Sequence, residues 1–468
     1  MPTSNTPSSN GPTFHFSPLD TRYKEILPES LSEEAWLLAQ ITVEREWLLE
    51  LQSRGIITEK LSREEFDKVF NGVSAEEIAE IEKTTQHATR ALVETLINRL
   101  KKAGHKENAR WVHVGLTSFD TVDTAQRVRL KAFVENDFVP EINKLKDTLR
   151  TLTKKYARTP QVGRTHGQWA VPSYMGLMFS ECLDRLHKQE ERMLWAWSEL
   201  TGQASGAVGG YQASSLLVDD PVELEEAFLK RLGLKRALAS TQILPPEDVL
   251  NLAHEFFVMS AVVTKLANDL RHLARSEIAE IAEGMAPGQV GSSTMPQKRN
   301  PWNFEHVCSL HKVLQTRYLL LQTDLITEHQ RDLTNSASGR FYCEAFAMNF
   351  LIFKRMNKVL PNLEIFEENL ARNLANAGGS VFAEAMYVEL TKEGEDDAHS
   401  TVREAARESE RVNKDLIEVL HSSGKLSKEK SPEVIKDRVL NGARIKVDTV
   451  LKLTEQNWDL AHFKGKGH

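Results

Sequence analysis

The chain has 468 residues, enough for about three domains at the usual ~100–200 residues per domain. Hydrophobic residues make up 41% and charged residues 27%, as in ordinary soluble globular proteins, and the net charge of −7 argues against nucleic acid or an anionic membrane as main partner. Three scattered cysteines show neither a disulfide framework nor a zinc pattern, and no apolar run approaches the roughly 18 residues of a membrane span, so we expect a cytoplasmic protein.

Helical patterns dominate the chain and predict an all-α fold. Residues 1–13 are polar and rich in Pro and Ser, which predicts a disordered tail. Apolar periodicity then predicts a helix that begins near Ser32 and ends at Gly55. Further long helices are predicted over about Asp123 to Arg158 with a kink at Pro140, Glu247 to Glu283, and Phe304 to about His329.

Local signals mark a shorter helix in the middle of the chain. Asp220 and Pro221 are typical of an N-cap and a first-turn proline, Glu223 of a carboxylate that reaches back to the cap, and Gly233 of the helix end. No stretch alternates apolar and polar residues over a strand length. We expect three helical domains, 14–112, a central long-helix bundle over 113–364, and 365–468.

The segment 284–301, GMAPGQVGSSTMPQKRNP, is the most unusual in the chain. It places three glycines and three prolines between two predicted long helices. Long loops in compact proteins tend to be functional, although a flexible linker is the simpler interpretation. Ser292 and Ser293 offer hydroxyls for proton transfer, Lys298 a cation and Asn300 an amide for a developing anion.

The run GSSTMPQKRNP resembles the defining loop of the fumarase/aspartase superfamily. This resemblance implies an all-α, three-domain fold that assembles into a homotetramer, with each active site built by three subunits. It also implies that Ser292 is the general base, that Lys298 and Asn300 hold the carboxylate beside the reacting carbon, and that Met295 contacts the substrate. Ser293 is expected to contact the substrate, and it is the alternative base.

Two further motifs resemble those of the adenylosuccinate lyase family. In GRTHGQ, residues 163–168, the resemblance makes His166 the general acid and Thr165 a substrate contact, although Trp169 stands where the family usually has proline. On residue type alone, a single histidine is more often structural. In LTSFD, residues 116–120, Thr117 and Ser118 are expected to bind the fumarate portion, although such a string also suits a helix N-cap.

Two shorter matches add further candidates. TTQHAT, residues 84–89, resembles a family segment in which the histidine belongs to the site, so His87 is expected to be catalytic. The chain departs from the family at Ala88, where an aspartate is usual, and at Gln86, where asparagine is usual. Gln242 is expected to reach the substrate because Thr241-Gln242 resembles another family pair.

Two segments point to a nucleotide. SPLDTRY, residues 17–23, resembles the family's N-terminal motif, in which Arg22 and Tyr23 contact the nucleotide. In RDLTNSASGR, residues 331–340, the family's phosphate-binding residues correspond to Arg331, Ser336 and Arg340. A helix capped by Thr334 or Asn335 would aim free amides at an anion, although two such arginines are more often a solvated face.

The resemblance implies β-elimination of fumarate from adenylosuccinate, which gives AMP, and from the succinylaminoimidazole carboxamide ribotide of purine synthesis. The expected partners are small purine nucleotides, with no nucleic acid, no membrane, no metal and no redox cofactor. Three alternatives remain. Ala88 and Trp169 leave open a sister lyase acting on another succinyl adduct such as argininosuccinate. The others are a non-catalytic helical scaffold, against which the intact motifs argue, and a metalloenzyme, for which no ligand cluster is apparent.

Overall fold

The computed structural model describes residues 17–285, 294–295, 297–427 and 429–464. Most of these residues are helical, so the predicted all-α fold class is confirmed. The α-helices are α1 Glu33–Ser53, α2 Arg63–Phe70, α3 Ala75–Thr85, α4 Ala88–Lys102, α5 Lys106–Trp111, α6 Ser118–Phe133, α7 Val139–Lys155, α8 Met175–Ser198, α9 Pro221–Arg231, α10 Glu247–Leu273, α11 Trp302–Thr323, α12 Tyr342–Val359, α13 Glu367–Asn376, α14 Ala383–Lys392, α15 Ala398–Val412, α16 Leu416–Ser422, α17 Pro432–Leu453 and α18 Leu460–Lys464.

Short strands and single helical turns complete the described residues. The strands are β1 Pro160–Thr165, β2 Gln168–Tyr174, β3 Thr201–Gly202, β4 Lys235–Arg236, β5 Ile281–Ala282 and β6 Glu364–Ile365. β1 pairs antiparallel with β2, β3 parallel with β4, and β5 antiparallel with β6. Turns of 3₁₀-helix lie at Pro18–Asp20, Lys24–Ile26, Glu29–Leu31, Ser214–Leu216, Ser338–Phe341, Leu360–Asn362 and Gly379–Phe382.

The chain divides into two compact units. The first comprises the described part of Met1–Phe133 together with Thr201–Leu244, and the second comprises the described parts of Val134–Leu200 and Pro245–His468. The predicted division into three domains stays a prediction.

In the first unit, α1 packs against α6 and α9. The side chain of Trp47 on α1 is fully buried, and its ring meets Phe228 of α9 edge-on, with ring centroids 5.3 Å apart.

The helix caps predicted in the first unit are present: the Ser32 hydroxyl accepts the Ala35 N–H at 3.1 Å, and Asp220 accepts the Glu223 N–H at 3.0 Å. The Glu223 carboxylate, however, accepts from Arg54 at 3.2 Å, because Arg54, the C-cap residue of α1, lies within its reach.

The core of the second unit is a bundle of five helices, α7, α8, α10, α11 and α12. Phe256 of α10 stacks on Phe138 with ring centroids 4.3 Å apart and meets Phe346 of α12 edge-on at 5.2 Å. These rings are buried, and aromatic side chains contribute most of the apolar surface that such a core removes from water. The bundle therefore gives the loops at its ends a rigid support.

α10 is shorter than the sequence suggests. The absence of glycine and proline predicts a helix through Glu283, but α10 ends at Leu273 and is followed by turns and by β5. Ala279 has a φ of 50°, a left-handed conformation that non-glycine residues rarely adopt, so helix propensity alone does not mark this break.

By length and hydropathy α10 also resembles a membrane span, but it packs in the bundle core, where half of its most apolar window is buried.

The long helix predicted over about Asp123 to Arg158 is interrupted before Pro140. α6 ends at Phe133, residues Val134–Phe138 form a π-helical turn, and Pro140 lies in the first turn of α7. Proline suits that position because its missing N–H has no helical partner there.

The β1–β2 hairpin was missed by the sequence analysis, which found no strand pattern. Val162 of β1 is buried and packs with Ala377 and Val381 beside α13, so the hairpin is attached to the C-terminal part of the unit. There, α14 to α17 enclose a separate apolar core that includes Met386, Leu416 and other buried aliphatic side chains.

Candidate active site

The predicted general acid, His166, lies at the tip of the β1–β2 hairpin. Thr165 pairs with Gln168, so His166 and Gly167 alone form the turn. Their φ angles are 54° and 76°, the pattern of a two-residue type I′ turn. Both Thr165 and His166 are exposed. A histidine in this left-handed conformation projects from a rigid turn, which suits a group that must meet a substrate.

A buried ion pair holds the hairpin close to its tip. Arg164, two residues before His166, donates to Glu280 at 2.6 and 3.1 Å through its two terminal nitrogens. The Glu280 side chain is fully buried and lies just before β5, which leads to the glycine-rich loop. Trp169, the departure from the family, pairs across the hairpin with Arg164 and is 51% exposed.

The predicted base and its neighbour, Ser292 and Ser293, lie outside the described residues. Beyond them, Met295 and Lys298 are exposed and Asn300 is half-buried, and the Lys298 N–H donates to the Met295 carbonyl at 3.0 Å. The exposed ammonium of Lys298 can therefore meet an anion in solution.

Residues on either side of the loop are joined by side chains that the sequence analysis did not single out. The buried Glu283 accepts from the Asn303 amide at 2.6 Å and from the Phe304 N–H at 2.9 Å. Burial raises the pKa of Glu283, while these hydrogen bonds oppose the shift. Arg299 binds Glu364 of β6 at 2.6 and 2.9 Å and donates to the Glu283 carbonyl at 2.8 Å. The sequence did contain one signal that could have identified these contacts, namely the carboxylate of Glu283 directly before the glycine-rich loop.

Thr117 directly precedes α6, and Ser118 is its first residue. Asp120 accepts the Thr117 N–H at 2.8 Å, and its carboxylate also accepts the N–H groups of Ser205 at 3.2 Å and Gly206 at 3.1 Å. The carboxylate thus joins two segments of the first unit. Burial raises the pKa of Asp120 to about 7, although the three N–H donors favour its charged form.

Gln242 belongs to the same part of the first unit. Gln203 donates from its side-chain amide to the Gln242 carbonyl at 2.9 Å, and the hydroxyls of Ser205 and Ser240 lie 2.8 Å apart. The structure therefore places the predicted residues Thr117, Ser118 and Gln242 on segments that are connected through residues 203–206.

His87 forms the N-cap of α4. Its Nδ1 accepts the Arg90 N–H at 3.3 Å, which leaves Nε2 as the protonated nitrogen of the neutral ring. The imidazole is exposed, and the preceding Gln86 has a φ of 50° that turns the chain sharply between α3 and α4. A capping role and a catalytic role are both compatible with this geometry, because only one ring nitrogen is used by the cap.

Arg22 and Tyr23 lie between two 3₁₀ turns at the start of the described chain. Arg22 is exposed and Tyr23 is half-buried. The Tyr23 N–H donates to the Pro18 carbonyl at 3.1 Å, and the Ile26 N–H donates to the Tyr23 carbonyl at 3.0 Å. The segment is thus a folded turn that presents the Arg22 side chain to solvent.

The predicted phosphate segment is folded differently from the expectation. Neither Thr334 nor Asn335 caps a helix: the Thr334 hydroxyl donates to Asp332 at 2.6 Å, the Asn335 amide donates to the Asp324 carbonyl at 2.8 Å, and a 3₁₀ turn begins after Ala337. Arg331 is half-buried, whereas Ser336 and Arg340 are exposed.

Asp324 supports this segment from the end of α11. Its buried carboxylate accepts from Ser338 at 2.8 Å and Tyr342 at 2.7 Å. The two hydrogen bonds attach the 3₁₀ turn and the start of α12 to α11.

The candidate residues are divided between the two units. The first unit carries Arg22, Tyr23, His87, Thr117, Ser118 and Gln242, and the second carries Thr165, His166, Met295, Lys298, Asn300, Arg331, Ser336 and Arg340. Within the second unit, the hairpin and the loop-flanking segment are connected through Glu280.

Comparison with known proteins decides the family. A family model described as lyase matches residues 22–313, and one described as adenylosuccinate lyase C-terminal matches residues 327–437. The chain is 33% identical to the adenylosuccinate lyase of Pyrococcus abyssi, over 94% of this chain and 98% of the relative. This chain belongs to the adenylosuccinate lyase family. The adenylosuccinate lyase of Archaeoglobus fulgidus is 32% identical over 93% of this chain and 98% of its own length.

A solved structure supports the fold assignment. The 3-carboxy-cis,cis-muconate lactonizing enzyme from Pseudomonas putida has a TM-score of 0.79 at 23% identity and covers 94% of this chain and 99% of its own. Membership of this family confirms the resemblance drawn from the loop and hairpin motifs, and it confirms that the chain is a lyase. The match to 327–437 also covers most of the segment 365–468, which the sequence analysis predicts to be the C-terminal helical domain.

Proposed function

We propose that the chain eliminates fumarate from adenylosuccinate to give AMP, and from the succinylaminoimidazole carboxamide ribotide. The supporting observation is its 33% identity to an adenylosuccinate lyase across nearly the whole length of both chains. The spacing of Arg331, Ser336 and Arg340 supports a substrate with a phosphate, because guanidinium groups bind phosphate in a bidentate manner.

The proposed reaction begins at the carbon next to a carboxylate. Ser292 takes the proton from this carbon, and the resulting aci-carboxylate carries two negative charges. Lys298 and Asn300 stabilise these charges, a contribution of ~3–4 kcal/mol for one well-placed donor. Ser293 and Met295 contact the substrate from the same loop. A serine acts as a base only when it is desolvated and surrounded by donors.

Cleavage of the C–N bond then needs a proton on the leaving nitrogen. His166 donates it from the hairpin tip, a contribution of about 10²–10⁴ in rate. His87 assists through Nε2, the nitrogen that its capping bond leaves available. The fumarate portion is bound by Thr117, Ser118, Thr165 and Gln242, and the nucleotide by Arg22, Tyr23, Arg331, Ser336 and Arg340.

The assembly and its location are part of this proposal. We propose a cytoplasmic homotetramer that acts on small nucleotides, with active sites shared between subunits. Several apolar side chains on and after α11 support a subunit contact, because Val313, Leu319 and Leu325 are 42%, 59% and 38% exposed.

The test is fumarate release from adenylosuccinate by the purified protein and by Ser292→Ala, with argininosuccinate as a second substrate. We expect release from adenylosuccinate only, and a loss of about 10²–10⁴-fold in kcat for the variant because the base is removed. Release from argininosuccinate instead would move the function to a sister lyase. Unchanged kcat in Ser292→Ala would assign the base to Ser293 or to another residue.

A further inference from the structure

Asp324 lies at the junction between the central bundle and the predicted phosphate segment, residues 331–340. It is the C-cap residue of α11, and its N–H donates to the Leu320 carbonyl at 3.3 Å. α11 packs against α10 and α12, and its Leu314 and Leu321 side chains are buried. Because the bundle holds this helix, the position of Asp324 is set by the bundle and not by the segment that follows.

The Asp324 carboxylate binds two hydroxyls on either side of Arg340. Its Oδ1 accepts from Ser338 at 2.8 Å, and its Oδ2 accepts from Tyr342 at 2.7 Å. Arg340 lies two residues from each of them. Asp324 is 4% exposed, so water competes little for these hydrogen bonds. They restrain the backbone on both sides of one proposed phosphate ligand.

A third contact restrains the other proposed ligand, Ser336. The side-chain amide of Asn335 donates to the Asp324 carbonyl at 2.8 Å, one residue before Ser336. The Ser336 N–H in turn donates to the Leu333 carbonyl at 3.1 Å. The backbone around Ser336 is therefore held by the same residue that restrains Arg340.

Packing within one chain does little to fix the phosphate segment. A groove of about 670 Å³ opens between the end of α11 and this segment, and the residues that line it include Leu320, Ile326 and Asn335. Ile326 is 82% exposed. Since no packed apolar layer of this chain separates the segment from α11 at the groove, its conformation depends on polar contacts such as those of Asp324.

We propose that Asp324 is a positioning residue for the phosphate of the nucleotide, because it fixes Ser336 and Arg340 in the arrangement that binds this group. The inference rests on the proposed function, in which the substrate carries a phosphate. The groups involved all belong to residues 324–342 of one chain, whichever subunits supply the rest of the active site. A binding segment that is already ordered loses less conformational freedom when its ligand binds, so the affinity is higher.

The negative charge of Asp324 gives two possible roles opposite signs. A carboxylate near a phosphate repels it, so removal of the charge alone would strengthen nucleotide binding. Loss of the hydrogen bonds that position Ser336 and Arg340 would weaken nucleotide binding. The direction of the change therefore separates a positioning role from an electrostatic one.

The experiment compares the wild type with Asp324→Ala, Asp324→Asn and Tyr342→Phe. The measurements are kcat and KM for adenylosuccinate, the melting temperature, and the inhibition constants of the two products. AMP carries the phosphate and fumarate does not. Glu389→Ala is the matched control, since Glu389 is another buried carboxylate of the second unit and binds Lys392 at 3.0 Å and Arg438 at 3.1 Å.

We expect Asp324→Ala to raise KM and the inhibition constant of AMP by about 10-fold, as when one hydrogen bond to a charged group is weakened. The changes in kcat and in the inhibition constant of fumarate should stay below about twofold, because the phosphate is remote from the bonds that break. Asp324→Asn has an amide that still binds both hydroxyls, so it should recover most of the affinity for AMP without the charge.

The other two variants grade the effect. Tyr342→Phe removes one of the two hydrogen bonds to the carboxylate, so it should raise the inhibition constant of AMP by a smaller factor and leave that of fumarate unchanged. Glu389→Ala should lower the melting temperature but leave kcat, KM and both inhibition constants unchanged.

The outcomes separate the inference from the function on which it rests. A wild type that releases no fumarate from adenylosuccinate would contradict the proposed function. An active wild type, with an unchanged or lower inhibition constant for AMP in Asp324→Ala, would overturn the positioning role alone. An equal rise for AMP and fumarate would also overturn it. If Asp324→Ala does not fold, the inhibition constants of AMP and fumarate in Tyr342→Phe decide the question.

Discussion

Two buried carboxylates, Glu280 in the second unit and Asp120 in the first, join segments that carry candidate site residues, but they are neutralised differently. Glu280 is paired with the Arg164 guanidinium and two side-chain amides. Asp120 accepts three backbone N–H groups. The first arrangement brings a full positive charge to the carboxylate, and the second brings only dipoles.

The difference has a thermodynamic consequence. A buried charge needs an opposite charge or several donors, and backbone donors only partly replace water. For Asp120 the burial outweighs its donors and raises the pKa to about 7. We therefore expect the stability that Glu280 contributes to depend on its partner Arg164. The stability that Asp120 contributes should depend on pH.

Removal of the Arg164 charge is expected to have the largest effect. Arg164→Met would leave Glu280 buried without its cation, which typically costs about 3–5 kcal/mol of stability. The double variant Arg164→Met with Glu280→Gln should recover part of this loss, since no unpaired charge remains. Urea unfolding at one protein concentration measures the free energies. Equal stability of the single and double variants would show that the pair does not have this role.

The raised pKa of Asp120 predicts that its contribution to the free energy of unfolding changes with pH. Its folded pKa lies above its unfolded value, so the stability that the group contributes is fully present below the unfolded pKa and is lost as pH rises through about 7. Asp120→Asn does not titrate. The stability advantage of the wild type over this variant should therefore shrink between pH 5.5 and 7 by about 2 kcal/mol, at about 1.4 kcal/mol per pH unit. A constant difference across this range would contradict the raised pKa.

Parts of this architecture were predictable because they depend on local signals. Ser32 and Asp220 have side chains that satisfy free N–H groups at helix starts, and both caps are present. The loop and hairpin motifs identified the family because their residues occur at fixed spacing.

The missed features depend on contacts between distant residues. The β1–β2 turn uses His166 and Gly167 with positive φ, where Asn-Gly is the strong signal, so propensity does not reveal it. α10 ends at Leu273 without a glycine, and the segment that follows contains Glu280, which binds Arg164, 116 residues away in sequence. The roles of Glu280 and Asp120 follow from partners that only the folded chain brings together.

Substitution of His87, the exposed N-cap residue of α4, is expected to have the smallest effect on stability. Its Nδ1 caps α4, so His87→Ala should cost about 1 kcal/mol, while His87→Asn should keep most of the cap because asparagine is a preferred N-cap residue. If Nε2 assists the elimination as proposed, both variants should lose activity alike, by about 10²-fold. Urea unfolding and kcat for fumarate release, measured on the same preparations, separate the two roles. Recovery of both stability and kcat in His87→Asn would make His87 a cap only, and the proton transfer would then depend on His166 alone.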